Sequence, residues 1–172
     1  MLIKFGRLCV MTKDPMVLLL ADDDPDDCIF FKFALDEIQQ PTQLTAVHDG
    51  EQLMALLSKS DYQLPNVLFL DLNMPRKSGF ECLSDIRLNK NLKDLPIIIF
   101  STSYEHEVVN VLYSNGVKYF IRKPAEFKDL KTIIETALKL ISEGDLSQPS
   151  RENFVLSVPS KSHATKQPSD VN

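Results

Sequence analysis

Residues 16–40, MVLLLADDDPDDCIFFKFALDEIQQ, hold a strand pattern and a helix pattern in direct succession. Residues 17–21 form a short, continuous apolar run, which is typical of a strand buried on both faces. Asp24 then offers an N-cap oxygen, and Pro25 stands at the first helical position, where a missing N–H is tolerated. Apolar residues recur at helical spacing until Pro41 ends the pattern. The stretch therefore predicts a strand followed directly by a helix.

Four more units of the same kind follow along the chain. Their apolar runs of strand length are residues 44–48, 67–70, 95–100 and 117–121. A helical pattern follows each run, and Asn115-Gly116 predicts a left-handed C-cap after the fourth helix. Strands that alternate with helices are typical of parallel sheets with right-handed crossovers. We therefore predict an α/β fold, a (βα)5 doubly wound parallel sheet with helices on both faces.

The composition is that of an ordinary globular domain. The chain has 172 residues, of which 44% are hydrophobic and 25% charged. Its longest apolar runs are far shorter than the roughly 20 residues that cross a bilayer, and the N-terminus lacks the pattern of a signal peptide. Three scattered cysteines without CxxC spacing argue against a disulfide framework and against zinc. These features predict a cytoplasmic protein that does not bind membranes.

The acidic excess lies in the middle of the chain. The net charge is −5, although both termini carry a small excess of basic side chains. An acidic body argues against binding to nucleic acid. We predict an N-terminal extension (1–15), for which Met11 and Met16 offer later starts, then one folded domain (16–146).

A disordered tail is predicted from residue 147 to residue 172, because Ser, Pro, Lys, Asn and Gln dominate there. Residues 153–158 interrupt the tail with an apolar cluster around Phe154. Two interpretations of this cluster are open. It is either a short docking motif or a mildly apolar stretch without a role.

Polar side chains follow four of the five predicted strands at the point where each strand ends. They are Asp22, Asp23 and Asp24, then Asp71, then Ser101, Thr102 and Ser103, and finally Arg122, Lys123 and Pro124. The carboxyl ends of parallel strands meet at one edge of a sheet, where ligands bind in such folds. Several carboxylates at one edge repel one another unless a cation joins them, and oxygen ligands suit magnesium.

This set of groups suits phosphoryl transfer. A carboxylate can attack a phosphoryl group, and Asp71, alone at the end of its strand, best fits the acceptor. Mg²⁺ and Lys123 would neutralise the spreading charge, and a serine hydroxyl can donate to a phosphoryl oxygen. Each residue alone has an ordinary explanation: Asp24 is a helix cap, and Asp26 and Asp27 are acids of a first helical turn.

Four stretches together resemble the receiver domain of response regulators in two-component signalling. They are LLLADDDPDD, VLFLDLNMPRKSGFE, PIIIFSTS and YFIRKPAEF, and the resemblance covers residues 16–142. It implies the flavodoxin-like strand order 2-1-3-4-5. The chain looks like a stand-alone receiver, similar to the chemotaxis-type and phytochrome-associated single-domain regulators.

The resemblance assigns roles to individual positions. Asp71 matches the phosphoacceptor, and Lys123 and Ser101 match the lysine and the hydroxyl that contact the phosphoryl group. Asp22 and Asp23, with Asp71 and the backbone carbonyl of Asn73, match the Mg²⁺ ligands. Ser101 and Phe120 match the two residues that change position when a member of the family is phosphorylated, the switch pair. Pro124 implies a cis peptide bond before it.

The resemblance also implies a mechanism and partners. A histidine kinase or a histidine phosphotransfer protein would donate a phosphoryl group to Asp71 in a Mg²⁺-dependent reaction. The product would switch a protein-interaction surface, so the chain is expected to be a signalling switch and not a metabolic enzyme. Its target protein and dimerisation on phosphorylation stay open.

The same residues allow an alternative function, a receiver-like module that binds partners without phosphorylation. An aspartyl-nucleophile phosphatase of the haloacid-dehalogenase type is disfavoured, because Asn73 stands where that chemistry needs a second acid.

Overall fold

The computed structural model describes residues 14–144 and 147–158. Its strands are β1 (Met16–Ala21), β2 (Thr42–Val47), β3 (Val67–Leu70), β4 (Ile97–Ser101), β5 (Tyr119–Arg122) and β6 (Val155–Leu156). Its helices are α1 (Pro25–Asp36), α2 (Gly50–Leu57), α3 (Gly79–Leu88), α4 (His106–Ser114) and α5 (Phe127–Ser142), with a 3-10 turn at Arg151–Asn153. Of these helices, none has the length and hydropathy of a membrane span.

The strands form one parallel sheet in the order β2-β1-β3-β4-β5-β6. The predicted order 2-1-3-4-5 is confirmed, and β6 is added beyond β5. The strands are buried on both faces because a hydrophobic cluster lies on each side of the sheet. In β1, Leu18 and Leu20 face the cluster under α1 and α5, and Leu19 and Ala21 face the cluster under α2, α3 and α4.

Local signals fix several helix ends. Asp24 caps α1 by accepting a hydrogen bond from the Asp26 amide at 2.9 Å, with Pro25 in the first turn. Helix α1 ends at Asp36, earlier than the predicted end near residue 40, because the chain turns through a hydrogen bond from the Ile38 amide to the Leu35 carbonyl. Gly116 has a φ of 69°, which confirms the left-handed cap after α4.

The two cysteines in the described ranges, Cys28 and Cys82, are free. Cys82 is buried and Cys28 is half-buried, and burial raises the pKa of each thiol to about 11. Both therefore behave as small apolar side chains at neutral pH and not as nucleophiles. Cys9 lies outside the described residues.

The first part of the predicted tail is ordered, which corrects the prediction of disorder from residue 147. Residues 147–158 include the 3-10 turn and β6, and Phe154 is 1% exposed. The Phe120 amide donates to the Phe154 carbonyl at 2.9 Å, which ties the segment to β5. The burial of one aromatic ring and the pairing with β5 offset the entropy of ordering this short segment. The rest of the predicted tail, residues 159–172, lies outside the described residues.

Arg87 joins α3 to the loop that precedes β4 and to the turn between α4 and β5. Its guanidinium donates to the carbonyl oxygens of Lys93, Leu95, Asn115 and Gly116 at 2.9–3.1 Å. We expect Arg87→Met to lower the free energy of unfolding by about 2 kcal/mol, because four carbonyl oxygens lose a charged donor that links three segments. Urea denaturation measures the change, and the exposed Lys90→Met is the control. A loss equal to that of the control would contradict this role.

Candidate functional site

The ends of β1 and β3 bring the predicted carboxylates together. Residues Ala21 and Leu70 are register partners, and the Asp71 amide donates to the Ala21 carbonyl at 2.9 Å. Asp22 and Asp71 therefore leave neighbouring strands at the same level. Carboxylate oxygens of Asp22, Asp23 and Asp71 all lie within 4.8 Å of one another. Asp22 is fully buried, Asp71 is 6% exposed, and Asp23 is exposed.

Lys123 reaches this cluster from the end of β5. Its Nζ lies 2.7 Å from Oδ2 of Asp22, 3.0 Å from Oδ2 of Asp71 and 2.7 Å from Oδ2 of Asp27. Burial of the ammonium alone favours the neutral amine, but the hydrogen bonds that it donates to Asp22 and Asp27, with the negative charges of Asp22 and Asp71, outweigh burial, so the pKa of Lys123 is raised. The lysine therefore supplies a fixed positive charge.

Asp22 is the most strongly perturbed carboxylate of the site. Its burial raises its pKa to about 6, although the hydrogen bond and the charge of Lys123 act in the opposite direction. Its Oδ1 also accepts a hydrogen bond from the Asp24 amide at 3.1 Å. Lys123 therefore offsets only part of the cost of burying the charge of Asp22, and a second cation nearby would stabilise the ionised carboxylate further.

Asp27 is a site residue that the sequence reasoning missed. It was interpreted only as an acid of the first helical turn, yet its carboxylate holds Lys123 at 2.7 Å. A usable signal was present, since α1 begins directly after the acidic end of β1 and its first turn lies over the same edge of the sheet. The partner, 96 positions away in the sequence, could not be identified from local pattern.

Ser101 ends β4 and is fully buried. Its Oγ has no hydrogen-bond partner within residues 14–144 and 147–158. A buried hydroxyl without a partner costs about 1–3 kcal/mol, so its retention at a strand end calls for an explanation. The Lys123 amide donates to the Ser101 carbonyl at 2.9 Å, which places the serine beside the lysine that holds Asp71. This is the environment expected of a donor to an anionic ligand.

The loop after β3 wraps around Asp71. The Asn73 amide donates to Oδ1 of Asp71 at 3.2 Å, and the Asn73 side chain donates to Oγ of Ser103 at 3.1 Å. The Gly79 amide donates to the Leu72 carbonyl at 2.9 Å, which closes the loop at the start of α3. Asn73 is thereby held beside the acceptor carboxylate.

The predicted switch residue Phe120 lies in β5 and is fully buried. Its ring packs edge-on against Tyr104, a residue that the sequence reasoning did not single out, with centroids 5.7 Å apart. The predicted cis peptide at Pro124 is wrong, since the described residues contain no cis bond. The preference of an X–Pro bond for trans is only about 0.5–1 kcal/mol, so sequence similarity alone does not decide it.

An apolar cleft opens beside the lysine. It has a volume of about 300 Å³ and lies between α1 and the loop that leads into α5. Phe30, which is 49% exposed, and Phe127, which is 36% exposed, line it together with Lys123. The acidic site is thus bordered by two exposed aromatic side chains.

The charges of the site favour a divalent cation. Four carboxylates, those of Asp22, Asp23, Asp27 and Asp71, face a single ammonium group. Oxygen donors with one exposed member, Asp23, suit a hard cation that keeps several waters. The residues present therefore fit a magnesium-type ion.

Comparison with known proteins agrees with this geometry. The sequence profile of the response regulator receiver domain matches residues 18–135. Response regulator Rcp1 of Synechocystis sp. is 31% identical over 125 residues, which cover 70% of this chain and 85% of Rcp1.

Two solved structures of response regulators superpose on this chain. The phosphorylated cyanobacterial phytochrome response regulator RcpA has a TM-score of 0.68 at 28% identity, covering 74% of this chain and 94% of RcpA. The Mn²⁺-bound form of Rcp1 has a TM-score of 0.67 at 28% identity, covering 79% of this chain and all of Rcp1. The profile match spans more than half of the sequence, and the chain belongs to the response regulator receiver family.

Proposed function

We propose that this chain is a signalling switch that accepts a phosphoryl group on Asp71 from a phosphohistidine. The donor would be a histidine kinase or a histidine phosphotransfer protein of the cytoplasm. The observation that carries the proposal is the Asp71 carboxylate at the end of β3, 3.0 Å from a buried lysine and beside two further aspartates. RcpA, a relative of similar fold, has been crystallised in a phosphorylated form.

The proposed reaction is an in-line transfer. An oxygen of Asp71 attacks phosphorus, the P–N bond of the phosphohistidine breaks, and the imidazole leaves with the bonding electrons. Lys123 offsets the negative charge on the transferred group, and Ser101 donates its unpartnered hydroxyl to a phosphoryl oxygen. The exposed Phe30 and Phe127 would contact apolar surface of the donor protein.

Mg²⁺ is the proposed cofactor. Asp22, Asp23 and Asp71, with the backbone carbonyl of Asn73, would hold it, and the three carboxylates lie close enough together to do so. When bound, the ion would neutralise charge that builds on the phosphoryl oxygens. The Mn²⁺-bound relative Rcp1 supports a divalent site of this type.

The proposed output is a change of surface around α4, β5 and α5. Phosphorylation adds about −1.5 to −2 charge, toward which Ser101 would move. Phe120 would then fill the space that the serine leaves, and the altered surface would bind a target protein or a second copy of the chain.

The test is labelling with acetyl phosphate, read as the intact mass of the protein. We expect Mg²⁺-dependent addition of one phosphoryl group to the wild type and complete loss of labelling in Asp71→Asn, which keeps the size of the side chain. Asp61→Asn, an exposed aspartate away from the site, is the control and should label normally. A folded wild type that is never labelled would favour the alternative, a binding module that works without phosphorylation.

A further inference from the structure

The ordered segment 147–158 lies on α4 and β5 through several specific contacts. The Tyr113 hydroxyl of α4 donates to the Pro149 carbonyl at 3.1 Å, and the Gln148 side chain donates to the Tyr113 carbonyl at 2.6 Å. Phe154 packs its ring edge-on against Tyr113 with centroids 5.2 Å apart. The Arg151 guanidinium stands over the same tyrosine ring at 5.6 Å. The segment thus occupies a defined binding surface of its own domain.

This segment is attached to the proposed switch residue itself. Phe120 and Val155 are register partners of the β5–β6 pair, and the Phe120 amide donates to the Phe154 carbonyl at 2.9 Å. The rings of Phe120 and Phe154 belong to one buried cluster. Because protein cores are close-packed, a change of the Phe120 rotamer displaces a neighbour. Strand β6 has only two residues and is the least firmly held of these neighbours.

A second connection leads from the segment to the lysine of the site. A groove of about 310 Å³ runs between the β5–α5 loop and β6. Its walls are Tyr104, Arg122, Lys123 and Pro124 on one side and Val155, Leu156 and Val158 on the other. A rearrangement of Lys123 around a new phosphoryl group therefore changes the groove that β6 borders.

From these contacts we infer that residues 147–158 are an intramolecular ligand of the α4–β5 face, released when Asp71 is phosphorylated. The inference rests on the proposed function and adds its regulation. Release exposes the backbone of β5 and the ring of Tyr113. That surface fits a target that supplies an extended strand parallel to β5, with an aromatic side chain in the place of Phe154.

Thermodynamic linkage makes the inference measurable in two directions. If a phosphoryl group on Asp71 weakens docking of the segment by some factor, undocking the segment strengthens binding of a phosphoryl analogue by the same factor. Couplings between sites in proteins are commonly about 5- to 150-fold. The full chain with beryllofluoride and Mg²⁺ is suited to both measurements.

The first measurement is hydrogen exchange of the Phe120 amide, which is bonded to the segment. We expect beryllofluoride to accelerate its exchange about fivefold or more. The Leu68 amide of β3, which is bonded to the Pro96 carbonyl at 2.9 Å and lies away from the segment, is the internal control and should change much less. Unchanged or slower exchange at Phe120 in the loaded protein would overturn the inference.

The second measurement is the affinity of variants for beryllofluoride. Phe154→Ala should expose the Phe120 amide without the analogue and bind the analogue about fivefold more tightly than the wild type. Tyr113→Phe removes only the hydrogen bond to Pro149 and keeps the test valid if Phe154→Ala does not fold. It should shift Phe120 amide exchange and beryllofluoride affinity in the same direction as Phe154→Ala. Equal affinity in the folded variants and the wild type would contradict the coupling.

The outcomes separate this inference from the proposed function. A wild type that binds no beryllofluoride, or binds it equally well as Asp71→Asn, overturns both. Binding that depends on Asp71 but leaves Phe120 exchange and the variant affinities unchanged overturns only the release of the segment.

Discussion

Lys123→Met is expected to lower the free energy of unfolding by about 3 kcal/mol or more in the absence of metal ions. The wild-type Lys123 side chain is 7% exposed and its ammonium pairs with three carboxylates, one of which, Asp22, is fully buried. Methionine fills the volume but leaves these charges facing one another. Urea denaturation in a chelating buffer measures the loss.

The same substitution should reduce labelling by acetyl phosphate at least about 100-fold, because a charge aimed at the transferred group is removed. Added Mg²⁺ should recover part of the stability, since a divalent ion can take over the neutralisation of Asp22 and Asp71. Lys131→Met is the matched control. Its partner Glu37 is exposed, and an exposed pair contributes less than about 1 kcal/mol. A Lys123 variant as stable as this control would contradict the electrostatic account of the site.

Gly79→Ala is the second change with a large expected effect. A Cβ at this position would overlap the carbonyl oxygen of Asp71 and lie 2.8 Å from the Cα of Leu72. Both are backbone atoms, so neither can rotate away, and the start of α3 or the end of β3 must shift. We expect a loss of about 3 kcal/mol in unfolding free energy, at the upper end for an overpacked site.

Displacement of the Asp71 backbone should also slow phosphorylation in molecules that remain folded, because a misplaced reacting group loses its orientation. Gly144→Ala is the control, since Gly144 has a φ of 75° and open space around it. Strain alone should cost that variant about 1 kcal/mol and leave labelling intact. If Gly79→Ala behaved like Gly144→Ala, the close approach to Asp71 would have no functional importance.

The parts of the fold that were predictable are those specified by local pattern. Strand β3 has four buried residues, VLFL, and a run of that kind is legible without knowledge of its neighbours. The cap at Asp24 and the left-handed turn at Gly116 likewise depend on a few consecutive residues. The proximity of Asp22, Asp71 and Lys123 was predictable because strand ends in a parallel sheet meet at one edge.

The missed features depend on tertiary contacts. Strand β6 has two residues within a short apolar cluster of the predicted tail, and only its pairing with β5 and the burial of Phe154 define it. Tyr104 gains significance from the ring of Phe120, and Asp27 from Lys123. Such partners are set by the packing of distant elements, which a single sequence does not encode locally. Helix α1 was predicted too long for a related reason, since no proline or glycine marks the end of the helix at Asp36 in the sequence.

Strand β6 also protects the edge of the sheet against aggregation between copies of this protein. Without it, β5 would present unpaired backbone donors and acceptors, including the Phe120 amide, to any passing strand. A two-residue strand satisfies this amide and is itself too short to serve as a template for further addition. Truncation before residue 147 would therefore expose the edge of β5 to pairing with strands of other molecules. We expect such a truncated chain to aggregate, although the residues removed lie outside the proposed phosphorylation site.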